Sequence, residues 1–475
     1  MKKYLKSKYI GIPILMVMIS FIIFYAILMR RDGDMLFIIS NGREIVKNGI
    51  PKVNPYVWMD SYKIVIQQWL LSVFYYFGYK GLGFDFIWIE TLIGLSTEFF
   101  LVYKITRFNS NADKLKSLLL SALVIISLIY IYQGKPALWS MVLLTAQIYL
   151  CEKRAPGWFL PILVLLEANI HMSYIVFHFV YLLPYIVPGF KPISINDANK
   201  KYWKWIPIMA IMAFINPYGK DGALYLFNSY NDKLKSLDIS ELQALGFDKA
   251  IGVIGITVII FVCMKVYNYY KNGNIATSSK FYCFIGSIAL IFLFHEARNY
   301  IFVILGALPI YTSMYTGVAI KESKLKNILN WICWILCTIV LFFFVIATPI
   351  GLENKYPFLD KMPAKSVEYL QDKDVKLFND FNTGAYFEFN NVKCFIDARP
   401  ELYFKSINGV DDSEIDYNNT LNPDIKKIDN VINKYNFDYY SVTKNTAMDM
   451  YLNDRPDQYE LVIKNDGDYK LYRKK

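Results

Sequence analysis

The sequence predicts a polytopic α-helical membrane protein of about eleven transmembrane helices, followed by a carboxyl-terminal α/β domain outside the membrane. Three observations carry this expectation. The 475-residue chain is 55% apolar and 17% aromatic but only 19% charged, with a mean hydropathy of +0.28, whereas a soluble domain is about 25% charged. Apolar stretches recur through residues 1–350, with Lys and Arg falling between them in a regular alternation. The balance then changes: residues 1–350 carry 33 Lys plus Arg against 18 Asp plus Glu, and residues 351–475 carry 18 against 22. The formal charge of +11 is thus set by the membrane part and is no nucleic-acid footprint.

The first element is the run Tyr9 to Met29, preceded by Lys2, Lys3, Lys6 and Lys8. It is too long for a signal-peptide core and lacks a small-x-small cleavage site, so it reads as a first transmembrane helix with its amino end inside. Further spans are expected near 84–103, 116–133, 136–151, 157–170, 173–190, 205–217, 249–270, 281–297, 299–317 and 328–349. From an inside start, the inner connections hold Lys104, Arg107, Lys114, Lys116, Lys153, Arg154, Lys191, Lys200, Lys201, Lys204, Lys271, Lys280, Lys321, Lys324 and Lys326. The short outer ones hold little beyond Lys135 and Arg298. Cytoplasmic loops are the Lys- and Arg-rich ones. The odd count therefore makes 1–350 a transmembrane domain and 351–475 an extracytoplasmic one, in a plasma (inner) membrane.

Two outer loops are long. The first, about 30–83, opens on Arg31-Asp32-Gly33-Asp34, and carboxylates beside hydrocarbon are costly to hold without a task. Met35, Ile38, Ile39, Gly42, Ile45 and Val46 then recur at helical spacing, which predicts an amphipathic surface helix ended by Asn48-Gly49 and Pro51. Gln68-Trp69 opens a second apolar stretch to Gly83, interrupted by Gly78, Lys80 and Gly81 and placed at the outer interface. The second long loop, about 217–248, follows Asn216-Pro217-Tyr218-Gly219 and carries Lys220.

In the tail, helical signals at 364–371 and 422–436 alternate with strand-like 375–378, 392–397 and 437–442, and the chain closes on a hairpin pattern with Gly467 in the turn. Asp397 and Arg399 in FIDARPELY (395–403) read either as substrate contacts above the membrane or as a strand-end ion pair that fixes the loop.

The remaining polar residues at outer ends converge on one side. Glu167, Asn169 and His171 lie between spans five and six, and His295, Glu296, Arg298 and Asn299 between spans nine and ten. A lone intramembrane His or Asn is ordinarily a helix–helix hydrogen bond. That reading is taken for His178, mid-span with no acidic neighbour in the sequence. Arg298 needs an anionic partner near a bilayer, either a carboxylate or a bound phosphate. Six cysteines and three histidines form no zinc spacing, redox CxxC or HExxH, and no P-loop, GxSxG or Rossmann fingerprint is present. No metal or other cofactor is expected.

RDGD (31–34), GKPALWS (134–140), EANIHMSY (167–174), NPYG (216–219), ARN (297–299) and FIDARPELY, in this order and sidedness, resemble a set of prokaryotic membrane proteins. That set is similar to the GT-C superfamily of integral-membrane glycosyltransferases, which includes protein O-mannosyltransferases and the lipid A aminoarabinose transferase. The resemblance spans nearly the full length. Better-known members have Glu after the first-loop acid where this chain has Met35, and a Lys-Pro-Pro-Leu element where it has Ile66-Gln67-Gln68-Trp69.

The resemblance implies transfer of a sugar from a polyprenyl-phosphate donor to an envelope glycan, lipid or protein acceptor at the outer face, with inversion. It makes Asp34 the general base, with Asp32 second. It also implies Arg298, His171, His295 and Lys220 against the donor phosphate, and Asn169, Gln68, Trp69, Glu296, Asp397 and Arg399 toward substrate or acceptor. The partners are lipid-linked sugar and membrane lipid, with no nucleic acid. The alternatives are an envelope polysaccharide ligase or polymerase, and a non-catalytic or transport protein for lipid-linked sugars.

Overall fold

The computed structural model describes residues 33–110, 136–186, 201–229 and 359–475, with isolated helical positions at 22, 117–118, 121, 302, 304–306 and 308. The longer described helices before the tail are α1 (Met35–Asn48), α2 (Trp69–Leu82), α3 (Asp85–Ser110), α4 (Ala137–Glu152), α5 (Phe159–Ile170) and α6 (Ile206–Ala213). The tail holds α7 (Ala364–Leu370), β1 (Leu377–Asn379), α8 (Gly384–Phe389), α9 (Ser413–Asn419), α10 (Ile425–Tyr435), β2 (Tyr439–Thr443), α11 (Ala447–Asn453), β3 (Tyr459–Asp466) and β4 (Tyr469–Lys474).

The chain divides into two compact units. One comprises Met1–Arg30, Ile87–Asn216 and Asp238–Lys355; the other comprises Arg31–Phe86, Pro217–Leu237 and Tyr356–Lys475. The expected boundary at residue 350 therefore misses two insertions: the first long loop and the start of the second belong with the tail. The reason is packing within that unit. The Cys394 N–H donates to the Tyr56 carbonyl at 2.9 Å, and the Lys63 N–H to the Asn408 carbonyl at 3.0 Å.

In the first unit, Asp85–Phe108 is the one stretch among the described residues long and apolar enough to cross a membrane. At 16 residues α4 is about 24 Å long, short of the roughly 30 Å hydrocarbon core. The expected spans at 9–29, 116–133, 249–270, 281–297, 299–317 and 328–349 lie wholly or mostly outside the described residues. Segment 173–190, expected as one span, is broken: a 3-10 turn at Met172–Tyr174 precedes the short helices Ile175–Val180 and Leu183–Ile186. Three buried carboxyls among the described residues of this unit are tied to α4. Trp139 donates to Glu90, Thr145 to Glu98 at 2.7 Å, and Ser140 to Glu167 at 2.5 Å.

The tail sheet has the order β1-β2-β4-β3, with β1 and β2 parallel and the other pairs antiparallel. Its one face packs Leu377, Tyr439 and Leu471 on Val367 and Leu370 of α7 and Phe387 of α8. Gly467 supplies the hairpin turn at φ +61, where a side chain would also run into the Lys361 carbonyl at 2.6 Å. The segment 392–397, expected as a strand, joins no strand of the sheet. Asn379 takes the place of a ladder there: its Oδ1 accepts from the Phe395 N–H at 2.7 Å and its Nδ2 donates to the Ile396 carbonyl at 2.9 Å. One buried amide thus satisfies backbone groups that a sheet would otherwise pair.

Candidate active site

Asp34 is the residue at the amino-terminal cap of α1. Its backbone is already helical (φ −62, ψ −24), and its carbonyl accepts from the Ile38 N–H at 3.4 Å. From Met35 to Gly42 every residue is buried, so only the second half of α1 has the exposed side that its apolar spacing predicts. The helix stops at Asn48 because Gly49 takes φ +86 and closes the last turn onto the Ile45 carbonyl at 3.0 Å. Gly42 lets α2 come close: a Cβ there would strike the Ser72 carbonyl oxygen.

Asp34, Phe37 and Asn41 stand at i, i+3 and i+7, so helical geometry sets them on one face, with Asp34 about 10 Å along the axis from Asn41. Arg399 lies against this face. Its guanidinium carbon is 4.7 Å from the Phe37 ring centroid, and Nη1 donates to Asn41 Oδ1 at 3.3 Å. Nε and Nη2 grip Asp397 as a fork, to Oδ1 at 2.9 Å and Oδ2 at 2.6 Å, and Nη2 also donates to Glu388 Oε1 at 2.7 Å. Tyr403 Oη donates to Asp397 Oδ2 at 2.6 Å. From α1 in return, Arg43 donates to the carbonyls of Phe389 and Glu388 at 2.7 and 2.9 Å. The space between α8 and residues 396–397 is closed, since a Cβ at Gly384 would meet the Ile396 carbonyl.

All three charged members are buried, so their protonation is decided by the cluster itself. Burial raises the Asp397 carboxyl, but the Arg399 guanidinium and the hydrogen bonds it receives outweigh burial and hold it below the usual value. Glu388 goes the other way: burial, reinforced by the Asp397 charge, overcomes Arg399 and pushes it well above the ordinary range. The cluster therefore favours Arg⁺, Asp⁻ and a protonated Glu, which avoids burying an uncompensated charge.

The other expected site residues fall as follows. Gln68 is buried, and its carbonyl accepts from the Ser72 N–H at 2.8 Å at the start of α2, of which Trp69 is the first residue. Lys220 opens the short helix Lys220–Ala223 after a turn docked beyond the far end of α1. There Lys52 donates to the Pro217 carbonyl at 2.7 Å and Tyr218 to the Pro51 carbonyl at 3.2 Å. Asp34, Lys220, Gln68, Trp69, Asp397 and Arg399 thus share one unit, and Asn169 and His171 belong to the other. Asn169 donates to the Leu165 and Ile215 carbonyls at 2.7 and 2.9 Å. His171 ends α5 with extended backbone, its ring 4.5 Å from that of Tyr174. Asp32, His295, Glu296 and Arg298 lie outside the described residues.

Two sets of residues escape sequence reasoning. Asn41 and Glu388 complete the Arg399 cluster, and neither stands in a motif. His178 does have an acidic neighbour: Glu167, eleven residues back, at 3.2 Å. The helical break at 171–174 folds the chain so that the two meet. Among the described residues no group of three or more His, Cys, Asp or Glu side chains is arranged to hold a metal ion.

No family model matches the chain, and no curated protein matches it. Among solved structures it is similar to the Archaeoglobus fulgidus oligosaccharyltransferase in its apo crystal form. The match has 12% identity and a TM-score of 0.42 over 92% of this chain and 70% of that one.

Proposed function

We propose that the chain is an integral-membrane glycosyltransferase of the GT-C type, moving a sugar from a polyprenyl-phosphate donor to an envelope acceptor at the outer face of the membrane. One observation carries this reading. The stretches of chain that charge alternation assigns to the outside, the first loop, the start of the second and the tail, are the segments of one compact unit, and Asp34 stands at the entry to it. An acid there, following the first apolar run in the sequence, supports reading it as the general base that the resemblance implies.

In this mechanism the Asp34 carboxylate takes the proton of the acceptor hydroxyl as its oxygen attacks the anomeric carbon. The bond from that carbon to the phosphate oxygen breaks, and polyprenyl phosphate leaves from the opposite face with inversion. Asp32 is the second candidate base. Arg298, His171, His295 and Lys220 are the proposed cations and donors for the leaving phosphate. Asn169, Trp69 and Glu296 are the proposed acceptor contacts; Gln68, Asp397 and Arg399 are buried and fix the frame. The test is transfer of radiolabelled sugar from polyprenyl-phosphate donors into membrane lipid or polymer, comparing wild type, Asp34→Asn and Asp32→Asn at matched expression. Loss in Asp34→Asn alone supports the reading. Wild-type silence with labelled donor bound equally by all three overturns it in favour of a non-catalytic binder.

A further inference from the structure

We infer that Arg399 is the positioning residue for Asp34, and that holding the first-loop helix in place is the task of the tail domain. This rests on the reading of Asp34 as the base. Asp34, Phe37 and Asn41 form one stripe, and Arg399 covers two of its three members, Phe37 by its guanidinium plane and Asn41 by Nη1. A planar, permanently charged fork suits this duty, because it bonds Asp397 at two atoms while a third nitrogen reaches across to the helix. Arg43 fastens the same helix from the other direction, one and a half turns beyond Phe37, onto the last carbonyls of α8. The helix is held at two heights, so rotation about its own axis, which would swing Asp34 off its face, breaks bonds at both.

The arrangement divides the labour among residues in a way that general burial does not. Arg399 and Asp397 form the charged fork, and Tyr403 and the Arg399 N–H orient Asp397. Glu388 accepts from Nη2 with one oxygen and shares a side-chain hydrogen bond with Asp397, and a glutamine amide supplies both an acceptor and a donor there. A lysine at 399 keeps the charge but cannot bond Asp397 at two atoms and Asn41 at once.

The experiment is hydrogen exchange on the full-length protein in detergent, followed over residues 35–48 and, as an internal reference, over β2 and β4. Arg399→Lys and Asp397→Asn are expected to speed exchange in 35–48 by at least tenfold and to leave the strands unchanged, while Glu388→Gln stays within twofold of wild type at both. In the transfer assay with polyprenyl-phosphate mannose, Arg399→Lys is expected to lower kcat at least tenfold with KM for the donor within threefold. Unchanged exchange over 35–48 in Arg399→Lys overturns the inference, as does equal acceleration in helix and strands, which would mark Arg399 as a general stability residue. Should wild type transfer no sugar, the glycosyltransferase reading falls, and the exchange result still decides whether Arg399 holds the helix.

Discussion

His178 Nε2 lies 3.2 Å from Glu167 Oε2, and both side chains are wholly buried. The ring is oriented by its other contacts. Gln147 Nε2 donates to the His178 backbone carbonyl at 2.7 Å, a group that can only accept, so Gln147 Oε1 faces His178 Nδ1 at 2.6 Å and receives its proton. That leaves Nε2 as the ring atom that meets the Glu167 carboxyl. The pair spans the break at 171–174 and so fixes the turn on which His171 stands.

Removing one member strands the other. His178→Ala leaves the Glu167 carboxyl in an apolar setting with the Ser140 hydroxyl at 2.5 Å, and breaking a buried pair from one side costs about 3–5 kcal/mol. His178→Gln, which can still donate to Glu167, is expected to lose about half as much. Thermal unfolding of the detergent-purified protein measures both; equal losses would show that ring packing, not the hydrogen bond to Glu167, matters at this position.

The Glu388 carboxyl gives a pH dependence with a definite sign. Its value in the folded chain is raised by burial first and by Asp397 next. Its contribution to stability is therefore fully present below the unfolded value of about 4.3 and declines as pH rises toward the raised one. Asp397, held low, contributes in the opposite direction and only in acid. Asp380 and Glu414 are also raised, but they are common to wild type and variant. Glu388→Gln removes the first dependence alone, so its melting temperature relative to wild type should climb between pH 5 and pH 8. A flat difference across that range would mean that Glu388 is ionised in the fold.

Gly42 tests the contact between the two first-loop helices. Helix propensity favours Ala over Gly by about 1 kcal/mol. Against this, the added methyl would meet the Ser72 backbone, with its carbonyl carbon at 2.6 Å and Tyr76 Cβ at 2.7 Å. Backbone cannot turn aside as a side-chain tip can, and overpacking costs about 1–3 kcal/mol. Gly42→Ala is expected to lose up to about 2 kcal/mol net, read from unfolding and from faster exchange over 35–48. A gain in stability would show that α1 and α2 separate at little cost.

The legible parts of this fold are those that local physics decides. Apolar spacing from Met35 and the Asn48-Gly49 stop fall on the observed ends of α1, and the Gly467 hairpin lies where the turn signal stands. Segment 392–397 misled because its residues are as strand-like as those of β2, and only Asn379, a distant side chain, takes over its backbone pairing. The composition of the second unit was illegible for the same reason. Nothing local in Tyr56 or Trp58 says that they pack more than 300 residues away, on Cys394 and Phe395. In the candidate site, Arg399 and Asp397 were visible as a motif, whereas Asn41 is one polar residue on a helix and Glu388 one acid on a short one.

Trp58 tests that long-range packing directly. Its ring stacks on Phe395 with centroids 6.1 Å apart and meets the edges of Phe437 and Tyr435 at 5.7 and 6.2 Å. Its Nε1 donates to the Leu377 carbonyl of β1 at 3.0 Å. Truncating a packed aromatic costs about 3–5 kcal/mol in a core, and a half-buried one belongs at the lower end; the hydrogen bond alone accounts for about 1 kcal/mol. Trp58→Ala is therefore expected to lose about 3 kcal/mol and Trp58→Phe about 1–2. In both variants amide exchange should rise first over 51–66, ahead of the sheet, because the loop loses its anchor while the strands keep their ladders. If the sheet opens together with the loop, the first loop is a structural part of the tail core, and its removal would leave the tail unable to fold alone.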